Sequence, residues 1–152
     1  IVHGDAASLA GWGFAQDRLD DPPHRRWIES AFRDSRADIF ASTHTCLPAL
    51  RAFEGSGAVA NNGAAGMPNF AGRPAGLATR IGVRPFQGPG RIAGLEWAGC
   101  HIDLVEVAYD VPAWKRRFLA AWPEGSAAHD SYWRRIAEGP DFRVEQAAPI
   151  AA

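Results

Sequence analysis

The chain has 152 residues, 47% of them hydrophobic and 22% charged, which is the composition of a folded domain and not of a disordered segment. A chain of this length suits one domain and buries roughly 70% of its unfolded surface. Its 16 Lys and Arg against 17 Asp and Glu give a net charge of -1, which speaks against bulk nucleic-acid binding and a polybasic membrane surface.

Ile1 to Gly4 reads as the end of a strand entering a loop. Ser8 to Ala15 reads as a loop anchored by Trp12 and Phe14. Asp20-Asp21-Pro22-Pro23 starts a helix, with acids first and Pro in the first turn. Trp27, Ile28, Ala31 and Phe32 share one face of that helix, which ends near Arg36. Asp38 to Ser42 is a short buried-type strand running into Thr43-His44-Thr45-Cys46-Leu47-Pro48. Ala49 to Phe53 is a second strand, closed by a turn over residues 54–57. Ala58-Val59-Ala60 leads into Asn61-Asn62-Gly63-Ala64-Ala65-Gly66.

Gly72 to Gly76 is loop, and Leu77 to Val83 is strand. Residues 91–109 hold two strands around Gly99, with Asp103 and Glu106 expected on a solvated face, the alternative being that they serve as ligands. Pro112 opens a helix bearing Trp114, Phe118, Leu119 and Trp122. Ser126 caps a last helix that stops at Gly139-Pro140. The Ala-rich tail after Phe142 is expected to fray. The order predicts an α/β (α+β) fold with a mixed sheet.

No apolar run approaches the ~18 residues of a membrane-spanning helix. Two cysteines, Cys46 and Cys100, make no disulfide framework and fit a reducing, cytoplasmic location. The only methionine is Met67 and the first residue is Ile1, so the original N-terminus is expected to have been removed or to lie outside this sequence.

His44 and Cys46 are the sharpest local feature. At a strand end, residues i and i+2 point to one side. An imidazole and a thiol there suit borderline or soft transition metals; the plainer reading is a hydrogen-bonded histidine and a buried cysteine. His3 is the second candidate, and Gly4 beside it permits close approach of a backbone or ligand. The Asn61 to Gly66 segment is either a simple turn or a set of amides facing an anion. A Cys46 nucleophile paired with His44 lacks an evident orienting carboxylate. Arg73 and Arg80 are candidates to meet a phosphate. His24, His101 and His129 fit surface or capping roles, and the six tryptophans fit packing.

Three blocks in order, Val2-His3-Gly4, Thr43-His44-Thr45-Cys46-Leu47-Pro48 and Asn61 to Pro68, resemble the second half of calcineurin-like metallophosphoesterases. The resemblance implies that residues 1–83 form the C-terminal half of a metallophosphoesterase-type β-sandwich flanked by helices. Residues 84–152 would add a strand pair and a two-helix extension. It implies two divalent transition-metal ions (Mn, Fe, Zn or Ni), about 4 Å apart, and attack of metal-bound hydroxide on a phosphomonoester or phosphodiester.

His3 and His44 match ligands of the second metal. Cys46 stands where a histidine binds the first. Gly4, Asn61 and Gly63 match substrate contact or site support. Thr43 replaces a glycine of the pattern, and Asn62 and Ala64 replace a proline and a serine. The family's earlier motifs, Asp-x-His, Gly-Asp and Gly-Asn-His-Asp or -Glu, do not occur in residues 1–152. No catalytic residue is therefore expected within this segment, and half the site would come from a missing N-terminal half or a second copy. The alternative is a non-catalytic, degenerate phosphoesterase domain that acts as an interaction module.

Overall fold

The helix expected after Asp20 forms, and it packs on one face of a three-stranded sheet. The computed structural model describes residues 1–149. Among the described residues are five α-helices and two three-stranded sheets, a mixed α/β arrangement. A short helix α1 (Gln16–Leu19) precedes a 3-10 turn over Pro22–His24, which leads into α2 (Arg25–Ser35). Proline fits that first turn because its missing N–H would have no helical partner there. Arg36 ends the helix in the left-handed region, φ 55°.

The first sheet contains β1 (Ile39–Ser42), β2 (Pro48–Phe53) and β3 (Gly57–Asn62) in the order β1-β3-β2. β3 runs parallel to β1 and antiparallel to β2. Alternation along β3 sends Val59 toward α2 and Ala58 and Ala60 the other way. On the helix side, Ile28 and Phe32 of α2 join Phe14, Phe40 and Phe53. Full burial of each such side chain contributes about 1.5–3 kcal/mol relative to exposure.

The second sheet contains β4 (Gly76–Gly82), β5 (Arg91–Trp97) and β6 (Cys100–Val107), all antiparallel, in the order β4-β6-β5. Its inner face supplies Ala93, Ile102 and Leu104, which pack on Leu50, Ala58 and Ala60 of the first sheet. The layers are thus helix, sheet, sheet. Helices α3 (Val111–Ala121), α4 (Ala127–Glu138) and α5 (Val144–Ala147) follow. Asp110 caps α3 through the Ala113 N–H, and Ser126 caps α4 through the His129 N–H.

Two expectations are corrected here. The segment after Phe142 does not fray through Pro149: Phe142 and Ala147 are buried with Phe70 and Leu77. Arg51, itself buried, donates to the carbonyls of Gln146 (2.8 Å), Ala147 (3.1 Å) and Ala148 (2.6 Å). Asp20 pairs with the same guanidinium at 2.6 Å. The last three residues of the tail, 150–152, lie outside the described residues.

Asp103 is likewise not on a solvated face. It is fully buried and accepts from Arg91 Nε (2.7 Å), Arg80 Nη1 (3.2 Å) and the Phe86 N–H (3.0 Å). Burial pushes its carboxyl up, but the Arg91 and Arg80 guanidiniums and the Phe86 amide together hold it below the usual carboxylate range.

Candidate functional site

Residues 1–4 form no regular strand, yet they lie along the free edge of β1. The Val2 N–H donates to the Ala41 carbonyl (3.0 Å) and the Thr43 N–H donates to the His3 carbonyl (3.1 Å). This pairing runs in the same direction as β1 and sets His3 beside the turn that leaves β1. The rings of His3 and His44 meet edge to face, 5.0 Å between centroids at 61°. Trp12 approaches His44 from another side, at 5.7 Å and 70°. His3 is exposed and His44 is half-buried.

The turn does not continue the strand. β1 ends at Ser42, and His44 (φ 75°) and Cys46 (φ 64°) are both left-handed. Such a conformation costs a non-glycine residue about 1–3 kcal/mol and persists only where surrounding structure enforces it. The strand-alternation argument for His44 and Cys46 therefore fails, because period-2 geometry stops before them. The Cys46 thiol instead donates to the carbonyl of His44 at 3.3 Å.

Several elements hold this turn. Asn61, fully buried at the end of β3, donates to Thr45 Oγ1 (2.7 Å) and the Phe14 carbonyl (2.9 Å) and accepts from the Gly63 N–H (2.9 Å). Thr43 Oγ1 donates to the Gly63 carbonyl (3.0 Å). Gly63 itself is left-handed, φ 65°, and a Cβ there would run into Asn69 Oδ1 and press on Pro48. From α4, Arg135 donates to the Cys46 carbonyl. The Ser42 hydroxyl is buried with no hydrogen-bond partner among the described residues.

The segment after His3 is also organised. A Cβ on Gly4 would fall 2.7 Å from the Ser8 and Leu9 carbonyl oxygens. Asp5 accepts from the N–H groups of Ala7 (2.8 Å), Ser8 (2.9 Å) and Gly13 (2.9 Å), which fixes the loop that carries Trp12. A cleft of about 260 Å³ opens beside the turn, lined by Trp12, Ala15, Gln16, Asp17, Thr45 and Leu47.

Other candidates are placed elsewhere or are engaged. Arg73 pairs with Glu106 (2.9 Å) and Arg80 with Asp103 (3.2 Å), so both guanidiniums are committed to carboxylates. His24 donates to the Gly13 carbonyl (3.0 Å) and stacks on Trp27. Asn69, which sequence reasoning missed, is fully buried: it accepts from the Ala64 N–H (2.8 Å) and donates to the carbonyls of Ala64 (2.7 Å) and Met67 (3.0 Å). Its only sequence signal was an asparagine inside a Gly- and Pro-rich loop.

The pair of imidazoles sets what this site can hold. Two neighbouring neutral imidazoles suit part of the coordination shell of one borderline divalent ion. Among the described residues no group of three or more His, Cys, Asp or Glu is arranged to hold a metal. The described residues thus offer two neighbouring imidazoles, fewer donors than one ion takes and far fewer than a two-ion centre takes. Among the described residues no carboxylate is hydrogen-bonded to the His44 ring, which leaves a Cys46–His44 nucleophile without an orienting group. The chain matches no protein-family model, no curated protein and no solved structure.

Proposed function

We propose that this chain takes part in metal-dependent hydrolysis of a small phosphomonoester or phosphodiester. His3 and His44 hold one divalent transition-metal ion in this reading, and its other ligands come from polypeptide outside residues 1–152, a preceding segment or a second copy. The supporting observation is the convergence of two imidazoles at 5.0 Å from segments 41 residues apart. Both segments belong to the blocks that resemble calcineurin-like metallophosphoesterases.

When bound, a divalent ion supplies Lewis-acid stabilisation of phosphoryl oxygens and an acidified water. The chain's own residues orient and shield. Asn61 and Thr43 fix the turn, Asp5 fixes the Trp12 loop, and Trp12, 60% exposed, stands against the His44 ring and lines the neighbouring cleft. Outside polypeptide would have to supply all or most of the donors for any second ion. Cys46 joins it only if its thiol leaves the His44 carbonyl.

Both cysteines are free thiols, which supports a reducing location such as the cytoplasm. Among the described residues no helix is long and apolar enough to cross a membrane. The reading assigns no nucleic-acid partner. The test is hydrolysis of a chromogenic phosphoester by full-length protein with added Mn²⁺. His3→Ala and His44→Ala should each lower the rate by more than about 100-fold, beyond the 10–100-fold typical of residues outside the ligand set. Unchanged rates in both variants would sink the assignment.

A second reading, a non-catalytic interaction module, is favoured by the orientation of Cys46, whose thiol is engaged by the backbone where a ligand is expected. It predicts no tightly held ion at His3 and His44 in the full-length protein.

A further inference from the structure

Helix α4 is remote in sequence from both histidines, yet one of its side chains reaches the turn that carries His44. Arg135 Nη2 donates to the backbone carbonyl of Cys46, 89 residues away. Its Nε is buried and has no hydrogen-bond partner among the described residues. Burial draws its pKa below the usual guanidinium value, and the neighbouring Cys46 opposes that shift. A guanidinium stays charged under such conditions. Taking a cation out of water with one donor unsatisfied is costly, and a surface helix does not require it.

The carbonyl it holds belongs to a residue that does require holding. His44 and Cys46 both sit in the left-handed region, at φ 75° and 64°. The Cys46 thiol fixes the His44 carbonyl from within the turn. Arg135 fixes the Cys46 carbonyl from outside it. Release of that contact lets the turn relax toward ordinary backbone angles, and the His44 ring then leaves the His3 ring.

We propose that Arg135 is a positioning residue for His44, so that α4 is a working part of the histidine site and not an appended element. The purpose of this positioning rests on the metal-site reading above; the geometric claim does not. No acidic side chain bonds this guanidinium among the described residues, so the Cys46 carbonyl is its anchor.

The test is the nuclear Overhauser contact between the His3 and His44 ring protons in the full-length protein, read beside Co²⁺ titration. Wild type should show the contact. Arg135→Met should lose it and weaken Co²⁺ binding by about 10–100-fold. Arg135→Lys, which keeps a charged donor, should restore part of both. Asp103→Asn is a control that lowers stability elsewhere and should keep the contact. If Arg135→Met does not fold, Arg135→Gln is read in its place, with the same loss expected. A ring contact and Co²⁺ affinity unchanged in Arg135→Met or Arg135→Gln overturn the proposal. Absence of the ring contact in wild type also overturns it. If wild type shows the contact but binds no Co²⁺, while Arg135→Met loses the contact, the positioning claim stands and the metal reading falls.

Discussion

Apart from Arg36 at the end of α2, two turns among the described residues place non-glycine residues in left-handed conformations, and they are held in opposite ways. In the β5–β6 hairpin, Ala98 (φ 50°) and Gly99 (φ 72°) make the two-residue connection. Positive φ at both positions suits the right-handed twist of the flanking strands, so the conformation is a local demand. Ala98 is exposed, and nothing lies within 4 Å of where a Gly99 side chain would begin. In the turn after β1, His44 and Cys46 adopt similar angles with no hairpin to demand them. There the conformation is imposed from a distance, by Asn61 on β3 and Arg135 on α4. Strain enforced by tertiary contacts is characteristic of sites that do something, whereas strain satisfied locally is characteristic of connections.

The comparison is broken most severely by removing the clamp. Asn61→Ala leaves the Phe14 carbonyl, Thr45 hydroxyl and Gly63 N–H without their partner inside the core. At about 1–3 kcal/mol for each buried group, a loss of roughly 3 kcal/mol or more in urea unfolding is expected. A loss under about 0.5 kcal/mol, within the range of ordinary surface substitutions, would show that the turn holds itself.

The next effect lies at the hairpin's own anchor, where Arg91 of β5 meets Asp103 of β6. Asp103→Asn should cost about 2 kcal/mol at neutral pH, the scale of hydrogen bonds to a charged group. Because the folded-state carboxyl is held below its ordinary value of 3.8, its contribution is fully present above that value. It is lost as pH falls through the lowered folded-state value. Urea midpoints of wild type and variant should therefore converge in acid. A gap that stays constant down to acid unfolding would contradict the pairing.

The smallest effect sharpens the contrast. Ala98→Gly removes the left-handed penalty of about 1–2 kcal/mol and adds unfolded-chain freedom of about 0.4–1 kcal/mol, for a net gain near 0.5 kcal/mol. Thermal unfolding checks this, and the histidine ring contact should not move. A clear destabilisation would mean that the Ala98 side chain does more than connect.

The parts of the fold that were legible in the sequence were punctuated locally. Pro22 and Pro23, Pro112, Ser126 and Gly139 mark helix ends because their conformational rules act within one turn. The face of α2 follows from periodicity for the same reason. What stayed hidden depends on partners far along the chain. Arg51 reaches the carbonyls of Gln146 to Ala148, and Arg135 reaches that of Cys46. A carbonyl acceptor leaves no trace in side-chain identity.

Asp103 looked solvated because strand alternation was imperfect, and its two arginines lie on other strands or their ends. At the candidate site, the period-2 rule failed because two left-handed residues reset the direction of each side chain. No local pattern brings His3 to His44. That contact needs residues 1–4 to run along β1, and only the order of the blocks in the resemblance implied that both histidines serve one ion.

Co²⁺ titration of the full-length protein, followed by its visible absorption, tests the account most directly. Ligand-field bands that include nitrogen donors and saturate with bound cobalt are expected, with binding lost in His3→Ala and in His44→Ala alike. Equal cobalt binding by wild type and both variants, or none by wild type, would contradict it.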